Sequence, residues 1–126
     1  MRKQYHLRAS ERGWLAWDVD RLLRLTAGQA PVDWPLDRIR ELDEAFWFSA
    51  QGDEATCRRV AEHAKLIGEA SLDYPIIIDP EGRVMDGMHR VCKAWINGRK
   101  TIRALQLPAL PEPDFVDVPR DQLPCT

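Results

Sequence analysis

Cysteine is scarce in this chain: Cys57, Cys92 and Cys125 are the only three, and no two of them form a Cys-X-X-Cys pair. An odd, scattered set argues against both a disulfide framework and a zinc site. Missing too is any apolar run near the ~20 residues that a membrane span needs, and the N-terminus shows no signal-peptide core. The expectation is a cytoplasmic protein with no membrane partner. Nor is there a surplus of positive charge. Lys and Arg number 18 against 20 Asp and Glu, a net charge of −2. Duplex-binding proteins ordinarily carry a basic excess to neutralise phosphates, so DNA is disfavoured as a partner. No internal repeat or low-complexity tract is present.

The 126 residues suffice for one domain with a real core and little more. Its centre is the stretch from Tyr74 to Leu107. Ile76 to Ile78 is a β-branched run without polar interruption, which suits a strand buried on both faces. Asp79-Pro80-Glu81-Gly82 has turn chemistry, with Pro at its second position and Gly at its fourth. Arg83 to Met85 then returns as a second strand. Asp86 is placed as a helix N-cap and Gly87 at the first helical position. Met88, Val91, Cys92 and Trp95 fall at i, i+3, i+4 and i+7, the spacing of one apolar helical face. Asn97-Gly98 closes that helix, and Thr101 to Leu107 forms another strand.

This layout creates a site. The first-turn N–H groups of such a helix have no intrahelical acceptor, the helix dipole is positive there, and Gly87 lets an anion approach. Arg90 has the fork geometry for phosphate oxygens, His89 can donate another hydrogen bond or act as acid and base, and Lys93 extends a positive rim. Asp86, Gly87, Met88, His89, Arg90 and Lys93 are therefore the candidate phosphate or nucleotide cradle. A plainer reading stays open, in which this is an N-capped helix with two solvated basic residues.

The Asp86-Gly87-Met88-His89-Arg90 box, with its Ile-rich strand and Asp-Pro-Glu-Gly turn before it and Ala94 and Gly98 after it, resembles the ParB/sulfiredoxin superfamily. The resemblance spans roughly Val32 to Leu107 and is nearest to small stand-alone bacterial ParB-like proteins. More distantly it takes in the SerK-type free-serine kinases. It implies an α+β fold with a small mixed sheet flanked by helices. It also implies phosphoryl transfer to a small acceptor as one activity, using a nucleotide and Mg²⁺. In that activity an acidic residue after the Pro-Leu-X-X-Ile segment is the base, which corresponds to Glu44 or Asp43. A non-catalytic nucleotide-sensing or interaction module is the alternative, with Trp14, Trp17 and the tail facing a protein partner or a second copy. A nuclease is the third. Two departures matter. Sulfiredoxins carry a reactive Cys where this chain has Met88, and a thioether supplies no thiolate. Partition-type ParB proteins add further domains for which this chain has no room.

The flanks are read from spacing. Residues 1–30 make an arm and a helix: Met1 to Arg12 is polar and loose, and Leu15, Val19, Leu22 and Leu23 suit a helix from Trp14 to about Leu25. Trp14 and Trp17 are assigned to packing or an interface. In the 31–107 domain, Pro31 to Leu36 suggests a short edge strand and Arg38 to Leu42 a brief helix capped by Asp37. Asp43 and Glu44 beside Phe46-Trp47-Phe48 fit either a solvated acidic turn or a base raised by apolar rings. Gln51-Gly52-Asp53 is a turn, with Asp53 capping a helix that buries Cys57, Val60, Ala61, Ala64 and Ile67. Cys57 and Cys92 are read as small buried hydrophobes, and Arg58, Arg59 and His63 as solvated surface. Residues 108–126 form a Pro-rich tail, laid over the domain or left free.

Overall fold

The computed structural model describes residues 3–49 and 52–125. Met1 and Arg2 of the anticipated arm, and Gln51 of the anticipated turn, lie outside that set. The N-terminal segment is a hairpin and not a loose arm: Tyr5–Ser10 (β1) pairs antiparallel with Gly13–Asp18 (β2). The anticipated helix from Trp14 is corrected to Val19–Leu25 (α1). The helical spacing of Leu15, Val19, Leu22 and Leu23 straddled a strand–helix junction at Asp18, whose carboxylate caps α1 by accepting from the Asp20 N–H at 2.9 Å. Trp17 is a packing residue, 1% exposed, with its indole N–H on the Pro111 carbonyl at 2.7 Å.

The central sheet has the order β3-β6-β4-β5, built from Val32–Pro35 (β3), Ile76–Ile78 (β4), Val84–Asp86 (β5) and Thr101–Gln106 (β6). β4 and β6 are parallel and the other pairs antiparallel, so the sheet is mixed and the class is α+β. Ile76, Ile77 and Ile78 are all fully buried because both faces of β4 are covered. Ile76 and Ile78 join Leu36, Ile39, Val91 and Ala94 in one core, while Ile77 joins Trp17, Leu22, Met85 and Leu107 in another. The period-two alternation of a strand divides the apolar run between them.

Met88–Ile96 (α3) follows β5 and buries Met88, Val91 and Ala94. Trp95 was placed on that buried face, but it is 64% exposed, with Ala94 filling the interior position. Cys57–Glu69 (α2) is capped by Thr56, which accepts from the Arg59 N–H, and not by Asp53. No residue of α2 is buried, so its anticipated interior stripe is corrected, and Cys57 is exposed. The small, dispersed apolar residues of that stripe leave α2 at the margin of the fold, beside α3. Two short 3₁₀ turns, Leu36–Arg38 and Arg40–Asp43, stand where one brief helix was anticipated.

The C-terminal segment lies over the domain. Phe115–Val116 (β7) adds to β2, giving a second sheet ordered β1-β2-β7, and Leu123 is buried. The two sheets are tied by Arg8 of β1, which donates to the buried Asp79 carboxylate at 3.0 Å. Among the described residues, no helix is long and apolar enough to cross a membrane.

Candidate functional site

The N-terminal end of α3 is set by Gly87. Asp86 does not cap the helix; it ends β5, and Gly87 takes the N-cap position in the left-handed region at φ 106°. A Cβ there would stand 2.7 Å from Ile76 Cγ2 and 3.1 Å from the Arg90 guanidinium, so the close turn from sheet to helix requires glycine. Among the described residues no side chain caps α3, and its backbone bonding begins with the Val91 N–H on the Gly87 carbonyl at 3.0 Å. The N–H groups of Met88, His89 and Arg90 therefore have no intrahelical acceptor. Of these residues Met88 and His89 border a cleft of about 360 Å³, lined among others by His6, Phe46, Trp47, Asp86 and Gly87.

Arg90 and Lys93 do not line this cleft. The Arg90 guanidinium donates to the Pro75 carbonyl at 2.7 Å, the Tyr74 carbonyl at 3.0 Å and the Asp86 carboxylate at 2.9 Å. It ties α3 to the entry of β4, and with its side chain only 17% exposed it is committed to the fold. Lys93 donates to the Gly68 and Ala70 carbonyls at 2.9 and 2.5 Å, closing the C-terminal end of α2. The anticipated cradle thus divides: Asp86, Gly87, Met88 and His89 reach the cleft, while Arg90 and Lys93 hold backbone together.

Histidine gathers where Arg90 does not. The chain has three histidines, and all three contact the Phe46-Trp47-Phe48 run. His6 faces Phe46 at 6.4 Å, while Trp47 lies over both His63 and His89 at 4.2 and 4.5 Å, tilted 16° from each. His63 Nδ1 and His89 Nε2 are hydrogen-bonded at 2.9 Å. Burial lowers the pKa of His63, and burial followed by the neighbouring His63 lowers that of His89. His6 is pushed down to about 3, first by burial and then by the Arg8 cation. Its Nε2 accepts from Arg8 Nε at 2.8 Å, so the neutral ring carries its proton on Nδ1.

The proposed bases are placed elsewhere. Glu44 is a half-exposed carboxylate with both oxygens on Arg83, at 2.8 and 2.9 Å, and Asp43 is exposed. Neither lines the cleft. The buried carboxylate of this region is Glu41, 4% exposed, whose Oε2 accepts from the Val84 N–H at 2.8 Å while Oε1 has no partner among the described residues. It closes the open N–H edge of β5. Among the described residues, no three His, Cys, Asp or Glu side chains converge to hold a metal. Asp86, already paired with Arg90, is the one carboxylate lining the cleft among the described residues, and these do not build a Mg²⁺ site of their own.

His63 and His6 were not legible as site residues. His63 lies on a polar helix face 26 positions from His89, and His6 belongs to a segment read as a loose arm. No sequence signal pointed to them, because the meeting of the imidazoles with Phe46, Trp47 and Phe48 is made by the fold. No protein-family model matches the chain, and no curated protein or solved structure matches it either.

Proposed function

We propose that the chain binds a phosphate-containing small molecule, a nucleotide or related phosphate compound, at the N-terminal end of α3. The observation that carries this reading is the uncapped first turn after Gly87, opening onto a cleft lined by His6 and His89. The uncapped N–H groups of Met88 and His89, both residues of the cleft wall, stand there at the positive end of the dipole, which is the arrangement that oxyanions seek. His6 and His89 are held neutral by burial, so they serve as hydrogen-bond donors or acceptors and not as permanent cations. Resemblance of the Asp86 to Arg90 box to the ParB/sulfiredoxin superfamily supports the same ligand class.

Binding stands ahead of phosphoryl transfer in this reading. A transferase needs a base near the acceptor, and Glu44 is engaged by Arg83 instead. Met88, in place of a thiol, excludes sulfiredoxin-type chemistry at this box. The test is a thermal-shift screen with ATP, ADP and pyrophosphate, each with and without Mg²⁺. A ligand at about a hundred times its Kd adds about 2.7 kcal/mol, enough to raise Tm by several degrees. His89→Ala should remove most of that rise. A folded protein whose Tm is unmoved by every phosphate compound would contradict the proposal.

A further inference from the structure

The His63–His89 contact has a geometry of its own. The ring centroids are 5.1 Å apart, the planes differ by 20°, and the facing nitrogens are 2.9 Å apart. Rings so placed meet edge to edge in nearly one plane, with the N–H of one in line with the lone pair of the other. Trp47 covers both from a single side and fixes their common tilt. The outer nitrogens are then His63 Nε2 and His89 Nδ1. His63 borders a broad outer groove shared with Glu44, Arg59 and Glu62, whereas His89 borders the cleft at the end of α3.

We propose that His63 and His89 form one acid–base unit, holding a single shared proton, which takes up a proton from the groove and delivers one to an oxyanion bound at α3. The delivery rests on the phosphate reading of that end; the shared proton does not. In the neutral pair that is ready to deliver, His63 Nδ1–H donates to His89 Nε2, and His89 Nδ1 carries the second proton. A proton arriving from water adds to His63 Nε2, the bridging proton crosses to His89 Nε2, and the proton on His89 Nδ1 leaves for the oxyanion. One proton enters and one leaves. Afterwards the hydrogen bond runs the other way, from His89 to His63.

The surroundings favour a load of one. On α2, Glu62 attracts a proton to His63, and the indole face of Trp47 tolerates a shared positive charge. Burial and mutual repulsion resist a second proton. Across the cleft, His6 is neutral, and Asp86 is neutralised by Arg90. On the groove side, Arg59 contacts Asp53, and Glu44 is held by Arg83. His63 is thus a positioning residue acting through His89.

The test follows the three imidazoles of the native protein by NMR over about pH 4 to 8, alone and with pyrophosphate. His63 and His89 should move through one common midpoint, taking up one proton between them, while His6 stays silent over most of the range. Pyrophosphate should raise that midpoint. His63→Gln keeps an amide beside His89 but transmits no proton. Its pyrophosphate affinity at the alkaline end should stay within about threefold of native, while the gain on acidification, with a ceiling of about tenfold per pH unit for one linked proton, should move from the common midpoint to that of a solitary His89. His89→Gln supplies the reciprocal check, with His63 titrating as a solitary ring. Separate midpoints, each unmoved by removal of the other ring, would overturn the shared proton. Absence of pyrophosphate binding, with the common midpoint intact, would instead overturn the phosphate reading and leave the shared proton standing.

Discussion

His6 is the residue whose chemistry most constrains the conditions under which this protein stays folded. Folding buries it neutral, with its pKa at about 3 against 6.5 when free. Between those values the unfolded chain binds a proton that the folded chain refuses. Its contribution is fully present above the unfolded pKa and is lost as pH falls through that window, by up to about 1.4 kcal/mol per unit. The neighbouring pair acts in the same direction, because the pKa values of His63 and His89 are also lowered. Urea unfolding at a series of pH values should therefore show stability falling steadily below about pH 6.5. A curve flat between pH 6 and 4 would contradict the assignment of His6 as a buried neutral ring.

Arg90 belongs to the same scale. Its two carbonyl acceptors and the Asp86 carboxylate make it a fastener between α3 and β4. Arg90→Ala removes charge-assisted bonds and leaves Asp86 unpaired, so stability should drop by about 1.5–3 kcal/mol. Affinity for phosphate compounds, per folded molecule, should change little when Asp86→Asn accompanies it, so that no bare carboxylate is left in the cleft. The opposite pattern, an unchanged midpoint of denaturation with lost binding, would return Arg90 to the role of phosphate anchor.

Among elements, α2 is the weakly held one. It buries no residue, and Val60 and Leu66 are about half exposed. His63 meets His89, and five to seven residues later Gly68 and Ala70 meet Lys93, so contacts advance together along both helices and α2 runs parallel to α3. Lys93→Met removes the lower of those two fasteners. Hydrogen exchange across α2 should then speed up by about tenfold or more while β4 and α3 keep their protection. Equal acceleration throughout would mean that Lys93 supports the whole fold.

The same elements show what could be read beforehand. β4, its turn, α3 and β6 were legible because each carries a local cause: a β-branched run, Pro and Gly at their turn positions, an apolar period, a terminating Asn97-Gly98. The N-terminal hairpin was not, because helical spacing in Leu15, Val19, Leu22 and Leu23 crosses from β2 into α1. The α2 stripe has a helical period but faces no core, and periodicity does not report what lies opposite. At the site, the glycine turn and His89 were legible from the box. Arg90 was misplaced because its acceptors are carbonyls of Tyr74 and Pro75, to which no sequence pattern points.

At the scale of the molecule, the two ends of the chain complete one sheet. β7 lies on β2, the Pro111 carbonyl takes the Trp17 N–H, and Tyr5 Oη donates to the Pro124 carbonyl at 2.6 Å. Removing residues 108–126 strips these contacts and uncovers Trp17, so the shortened chain should lose about 2–4 kcal/mol of stability. An unchanged Tm would show that the tail adds nothing to the fold. His6 lies on β1 of this same sheet and forms a wall of the cleft, so a loosened hairpin should also weaken any ligand bound there.

The most direct test of the account is a ¹H–¹⁵N NMR titration of the native protein with pyrophosphate. Binding at the uncapped end of α3 predicts that the amides of Gly87, Met88, His89 and Arg90 shift first and furthest, with saturation. Smaller changes should reach His6 and Trp47. Amides of the same four residues that stay still, while pyrophosphate saturates some other part of the molecule or none, would contradict the account.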